Sequence, residues 1–432
     1  MSGPSQATAL RALQVRDPAT RIFHLSWMVQ FACGLAWFAY APLKPRFAEH
    51  LALMPAQLTR IDHVAVAAAI AAAFAAGPIC ARLGPGRTLA ALLLLSCLGL
   101  LGMAAAADAT ALMTARIMLG FAAAGWVVSL GYVAAAYAPN VLGLALATVT
   151  GLGSLGVATA WLLLPALAAT DLLGGRSALL VPAALTALLG LVCAVAAPAC
   201  PGTTARRTPR ACRSGAARRN LLRAALNYRS WMLAIACAAS FGIEVYVHAL
   251  TARTWSGQFG VSFGSVGIAA SGFAAAIVLA RVLGGTASDR LARVSGLDGR
   301  GLLLFALLFG EGIDLLLLSQ AQGTALSALL VIGAIVLATA AAAAAFALAP
   351  FVDRRALGSV LSITVAGGLL GAVAATLLAT TAGDPHGGLL LVGSSVTIAS
   401  LSAVALRFGA RQLAREHIQI HQALRQRGAV TV

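Results

Sequence analysis

Charge is what this chain of 432 residues has least of. Asp, Glu, Lys and Arg make up only 10% of it, where a soluble domain carries about 25%. That excludes a surface wetted over most of its area. Acids are scarcer still, 13 against 30 Lys and Arg. The resulting net charge of +17 would suggest nucleic acid in a soluble protein, but no basic motif interleaved with aromatics is present, so a nucleic-acid partner is not expected. The apolar stretches do not alternate with polar residues, which excludes a membrane β-barrel. Of the seven cysteines, Cys33, Cys80, Cys97, Cys193 and Cys237 sit in apolar runs and none forms a CxxC or Cys/His cluster, so neither metal nor cofactor is implied. Residues 1–21 are polar and basic, without a short apolar stretch and cleavage site, so no removable leader is expected. With no nucleophile–base set and no phosphate-binding loop, an enzyme is not expected either.

What is present is apolar length. The chain is 60% hydrophobic, and about 20 apolar residues cross a bilayer as a helix, the element that satisfies its own backbone in lipid. Twelve spans are predicted, at about 22–43, 62–81, 87–107, 110–138, 141–167, 177–197, 230–251, 262–287, 301–319, 323–349, 356–380 and 388–408. Residues 198–229 interrupt them with eight arginines (Arg206, Arg207, Arg210, Arg213, Arg218, Arg219, Arg223 and Arg229) and no acid. The organisation is therefore an N-terminal segment 1–21, a six-helix half 22–197, a basic linker 198–229, a second six-helix half 230–408 and a tail 409–432. If the spans alternate, the arginines of both termini, of the linker, and of the turns holding Arg82 and Arg87, Arg290, Arg293 and Arg300, and Arg354 and Arg355 all share one side. Cytoplasmic segments collect Lys and Arg, so both termini are expected in the cytoplasm and the chain in a bacterial-type inner membrane. Its basic loops would meet anionic lipid headgroups.

The halves echo each other. Gly143–Gly156 reads GLALATVTGLGSLG and Gly358–Gly371 reads GSVLSITVAGGLLG, both in a fifth span, with the same 13-residue separation of end glycines. GPICAR from Gly77 and GTASDR from Gly285 each end a second span. Two matches at equivalent places indicate a duplicated six-helix unit.

Few residues in these spans can do chemistry. Gly151, Gly153, Gly367 and Gly368 either let helices approach closely or expose backbone to a ligand. Arg281 lies eight residues before the Asp289-Arg290 turn, roughly 12 Å into the membrane, where a guanidinium costs at least ~2.5–3.5 kcal/mol. It would face a planar anion or an internal partner such as Glu244. Glu244 and His248 stand four apart on one face of the seventh span and would either relay protons or form a structural pair. Glu311 and Asp314 are intramembrane acids of a peripheral span, read as structural. Trp126 and Phe241, in glycine-flanked contexts, would wall an apolar pocket or pack the bundle.

Several segments resemble the nitrate/nitrite porter family of the major facilitator superfamily. The superfamily motif is similar to GGTASDR, Gly284 to Arg290, with a degenerate copy from Gly77 to Arg87. The porter family is resembled by AWFAYAPLKP near Pro42, ARIMLGF at Arg116, FGIEVYVHAL with LARVLGGTASDR, and AAAFALAPFVDRRALGSVLSITVAGGLLG. The resemblance implies an all-α membrane protein of twelve transmembrane helices in two pseudo-symmetric halves, the major facilitator fold. It implies a secondary transporter, by symport or antiport, of nitrate or nitrite, with Gly285, Asp289 and Arg290 as the loop motif and a monomer as the expected unit. The family holds its anion between two intramembrane arginines, of which Arg281 matches one, while Ala73 stands at the place of the other. Ser154 takes the place of a fifth-span Asn, Cys237 that of a Tyr in some members and Ala81 that of the first loop motif's acid; Phe241 is kept. The expected site is Arg281, Ser154, Gly151, Gly153, Gly367, Gly368, Phe241 and Trp126, with Glu244 and His248 for proton coupling. An organic anion or drug-like solute is the alternative cargo, and a non-transporting receptor or assembly subunit the alternative role.

Overall fold

The structure, a computed structural model, describes residues 6–14, 16–170, 175–198, 210–246 and 263–430. Among them, ten helices are long and apolar enough to cross a membrane. The N-terminal half supplies Pro18–His50, Pro55–Leu83, Pro85–Ala104, Ala109–Ala136, Leu142–Ala168 and Gly175–Ala196 as its first to sixth spans. The C-terminal half opens with Tyr228–Ala239, whose helix resumes after Ser240 through residue 246; this is the seventh span. The rest of its predicted length, with His248, lies outside the described residues. Helix Phe263–Gln320 has 58 residues, about 87 Å at 1.5 Å per residue, against a hydrocarbon core of ~30 Å. It is broken at Gly296 (φ 62°, ψ −144°), a conformation open to Gly, and so contributes both the eighth and ninth spans. Ala325–Val352, Arg354–Thr381 and Pro385–Ala405 complete the set. The twelve-span expectation holds.

Glycine repeats join the halves. A Cβ on Gly143 of the fifth span would lie 2.6 Å from the Gly285 carbonyl of the eighth, and one on Gly77 of the second span 2.4 Å from the Gly358 carbonyl of the eleventh. Both are far inside van der Waals contact, so only hydrogen fits. The other ends of the repeats act within a half. A Cβ on Gly156 would meet the Phe31 carbonyl at 2.0 Å, and one on Gly371 the Ala238 carbonyl at 2.3 Å. Equivalent glycines thus make equivalent contacts, as a two-fold duplication requires.

The two cross-half contacts differ in their polar finish. Asp289 accepts from the backbone N–H of Gly143 at 2.9 Å and of Leu144 at 2.8 Å, placing a carboxylate at the positive end of the fifth span. Arg300 donates to Asp289 at 2.7 Å, to Ser288 at 2.8 Å and to the Pro139 carbonyl at 2.9 Å. The sequence reading put Arg300 in a loop. It is instead fully buried, because the chain stays helical on either side of Gly296 and turns this side chain inward. In the other contact Ala81 cannot cap, and Ser362 Oγ accepts from Gly77 N–H at 2.8 Å.

The basic linker is not wholly a loop. Residues Arg210–Leu226 form a helix, with Ala217 and Ala224, seven apart, buried along one face. Arg223 pairs with Asp353 at 3.0 Å. The tail also folds, as helix Ala410–Val430, and Glu416 there pairs with Arg354. Residues Ala7 and Tyr137 form an isolated parallel bridge, tying the N-terminal segment to the end of the fourth span. A crevice of about 940 Å³ opens on this basic side, lined among others by Arg87, Tyr132, Asn220, Arg354 and Arg355.

Two outcomes follow from this interlock. Asp289→Ala removes both caps and strands a buried guanidinium, so it should cost about 3–5 kcal/mol, read as a lower thermal unfolding midpoint of the detergent-purified protein. Arg290→Ala alters an exposed neighbour and should stay within about 0.5 kcal/mol of the parent. Gly77→Val should hold the halves apart on the basic side and speed maleimide labelling of Cys80. An unchanged labelling rate would show that this contact does not close the interface.

Candidate functional site

Arg281 belongs to the eighth span and is fully buried. Its Nη2 donates to Glu244 Oε1 at 2.7 Å and Oε2 at 2.5 Å, across from the seventh span. Glu244 stands in the helical residues 241–246 that follow a distorted position at Ser240 (φ −104°, ψ −76°), and its N–H donates to the Ser240 carbonyl at 2.9 Å. Of the two readings of the sequence, the structure shows the internal pair. The internal partner is Glu244, yet the carboxylate engages only one nitrogen. Nε and Nη1 of Arg281 are buried without a hydrogen-bond partner among the described residues. A guanidinium has five N–H donors, so three are left over.

Aromatic rings close the surroundings. The Arg281 guanidinium lies 6.0 Å from the Trp126 ring centroid, at the limit of a cation–π contact. Trp126 packs on Phe241 at 5.7 Å and Phe241 on Phe346 at 6.3 Å. The fourth, seventh and tenth spans thus contribute a chain of rings that begins at Arg281. Arg281 and Glu244 are both buried, where an electrostatic contact is stronger than in water.

The remaining predicted residues take varied places. Gly151 lies against Val278 of the eighth span, Gly153 against Gln30 of the first and Gly367 against Ala234 of the seventh; all three sit at helix–helix contacts. Gly368 lies against Phe241 and Cys237, beside the aromatic wall. Ser154 is buried and donates to the Thr150 carbonyl at 3.0 Å, which leaves its oxygen lone pairs but not its proton. Ala73 is fully buried. Gly285 and Asp289 serve the interlock and Arg290 is exposed.

Gln30 was missed in the sequence. It is fully buried in the first span and donates to Ser129 of the fourth at 2.8 Å, leaving Oε1 unpartnered among the described residues. The signal was available. Phe31 and Ala238 make equivalent contacts with Gly156 and Gly371, so the residue before each, Gln30 and Cys237, is also an equivalent pair. Gln30 is the polar member of that pair, and an intramembrane polar residue is a site hypothesis by default. A third buried arginine, Arg116, donates to the Trp37 carbonyl at 3.0 Å and lies 5.0 Å and 4.6 Å from the Trp37 and Tyr40 rings. Its neighbours Tyr40, Ala115 and Leu119 belong to a separate apolar cluster of the N-terminal half.

The chain is similar to known proteins in sequence and in fold. A probable high-affinity nitrate transporter of Oryza sativa subsp. japonica is 29% identical over 394 residues, 85% of this chain and 79% of its own length. A high affinity nitrate transporter of Arabidopsis thaliana is 26% identical over 430 residues, 93% of this chain and 86% of its own. The crystal structure of the E. coli fucose:proton symporter superposes with a TM-score of 0.68 at 14% identity, covering 91% of this chain and 100% of that one, a likeness of fold. The family model of the Major Facilitator Superfamily matches residues 26–252, just over half of the 432 residues, and the chain, a multi-pass integral membrane protein and not an enzyme, belongs to that superfamily.

Proposed function

We propose that this chain is a secondary active transporter of nitrate, nitrite or both, working by alternating access. The observation that carries the reading is the pair of unpartnered guanidinium nitrogens on Arg281, enclosed by Trp126, Phe241 and Phe346. Both two-donor edges of the guanidinium use Nη2, so a planar oxyanion that displaces Glu244 there can bind through Nη2 together with Nε or Nη1, the two nitrogens left unpartnered. The relatives' shared description as nitrate transporters supports that cargo over an organic anion.

The interlock supports alternating access. Rocking the halves would separate Gly143 from Gly285 and Gly77 from Gly358, opening the basic side while the site stays at the middle of the membrane. On the arginine distribution, that basic side is the cytoplasmic face of an inner membrane, with both termini there. Residues 22–197 and 230–408 would be the rocking halves, and 198–229 the linker that lets them move.

The ion pair sets the electrostatics. Arg281 and Glu244 together are neutral, so an incoming anion would leave net negative charge in a medium of low dielectric. Taking up a proton on Glu244 as the anion replaces it on Arg281 removes that charge. Symport with a proton follows, with Glu244 as the coupling group; His248 was its proposed companion.

Nitrate uptake into proteoliposomes tests the assignment. Each charged hydrogen bond contributes roughly 1.5–3 kcal/mol, about one to two decades in affinity. Arg281→Ala should therefore lower the apparent nitrate affinity at least about ten-fold. Arg281→Lys keeps the charge but loses the fork, and should fall between the two. Uptake by the Ala variant at the parental level would overturn the role given to Arg281.

A further inference from the structure

The tail after the twelfth span folds back onto the C-terminal half. Helix Ala410–Val430 buries Glu416, Ile420 and Ala423, spaced as one face of a helix. Glu416 pairs with Arg354, and Gln412 donates to the Phe351 carbonyl at 2.5 Å. This face is thereby fixed to the turn between the tenth and eleventh spans. A neighbouring face carries His417 and His421, four apart on consecutive turns. His417 is half-buried and His421 is exposed. A Cβ on Gly296, where the long helix bends, would lie 3.8 Å from His417 Nδ1. The pair therefore sits beside the turn between the eighth and ninth spans.

The two imidazoles converge. Their ring centroids are 4.4 Å apart but their Nε2 atoms only 3.0 Å, so both nitrogens face the gap between the rings. A neutral pair can share one hydrogen bond there, one Nε2 donating and the other accepting. The same geometry is that of a chelate. At a metal–nitrogen bond of about 2.1 Å, two nitrogens at a right angle about the metal lie about 3.0 Å apart, and at the tetrahedral angle about 3.4 Å. The observed separation fits the right angle of copper and nickel sites better than the tetrahedral angle of zinc. Two His at i and i+4 on one helix face are the half-site of helical metal centres. Here Ile418, Gln419 and Ile420 lie between them, without the acid of a hydrolytic zinc helix. Arg415 and Arg425, both exposed, lie two residues before His417 and four after His421. Positive surroundings disfavour hard, oxygen-seeking cations such as magnesium and leave the imidazole lone pairs as the attraction. Among the described residues no third His, Cys, Asp or Glu completes the group, so water would fill the remaining positions.

We propose that His417 and His421 form a chelating site for a divalent transition cation of the copper or nickel class, ligated by both Nε2 atoms. Each neutral imidazole then keeps its proton on Nδ1, so the hydrogen bond between the rings gives way to two metal–nitrogen bonds with no net gain or loss of protons. The ligands stand on successive turns. The cation therefore staples one turn of the tail helix to the next, and with it the face that holds Glu416 against Arg354. The site lies on the basic side, apart from Arg281 at the middle of the membrane, and does not depend on what the cargo is.

Titration calorimetry of the detergent-purified full chain, made without a polyhistidine tag, tests the site with copper, nickel, cobalt and magnesium chlorides as probes. The wild type should bind about one nickel ion per chain, with affinity rising from cobalt through nickel to copper and no saturable binding of magnesium. His417→Ala and His421→Ala should each lower the nickel affinity at least about ten-fold. No saturable nickel binding by the wild type, or an unchanged affinity in either alanine variant, would overturn the chelate. A second readout places the effect in the tail. Nickel at about ten times its dissociation constant should slow tryptic cleavage after Arg415 and Arg425 about ten-fold in the wild type, and leave it unchanged in His417→Ala. Equal slowing in that variant would show that the cation acts elsewhere, and would overturn the staple.

Discussion

A single guanidinium buried midway along an apolar helix constrains everything around it. Arg281 cannot reach water along its own span, so the fold must bring acceptors to it. Glu244 does so from the neighbouring span. Phe241, three residues earlier in the same span, meets both Trp126 and Phe346, so one short stretch of chain supplies both the counter-charge and an aromatic ring. The carboxylate engages one nitrogen and leaves the others unmet. A charge that was only structural would be better served by a partner spread across the whole fork.

Around this point the scaffold is set by glycine. Hydrophobic driving force is weak between helices in lipid, and close packing takes its place. Gly156 and Gly371 hold a fifth and an eleventh span against the first helix of their own half, and Gly143 and Gly358 hold them against the other half. Each repeat thus has one end that makes a half rigid and one end that makes a separable contact. Only the separable ends carry polar finishing, Asp289 on one and Ser362 on the other. Hydrogen bonds that break when the halves part can be replaced by water on the basic side, which is where both lie.

Much of the architecture was legible in the sequence because a membrane helix satisfies its backbone locally, so length and apolarity alone announce it. The duplicated glycines were legible because they must recur in register. Helix Arg210–Leu226 was hidden by its arginines: eight positive charges read as a solvated loop, and only the seven-residue spacing of Ala217 and Ala224 betrays a packed face. Arg300 was hidden by Gly296, which reads as a loop residue although it turns the chain without ending the helix. The Arg281–Glu244 pair could be named from sequence as one alternative, since opposite charges are so few, but the engagement of one nitrogen rather than two depends on how the seventh and eighth spans pack. Gln30 could have been found by carrying the repeat register from the fifth spans into the first.

The departures from the two-arginine pattern can be understood together. With Ala73 in place of a guanidinium, the midpoint of the membrane holds one positive charge instead of two. Two cations can bind one anion and remain positive, so the loaded site needs no further ion. One cation already paired with Glu244 cannot. Its loaded state is neutral only if Glu244 gives up its charge. Loss of one cation therefore makes anion binding depend on a proton more strictly than a site with two fixed positive charges would. The missing arginine is thus compatible with an anion as cargo, provided that the anion does not travel alone.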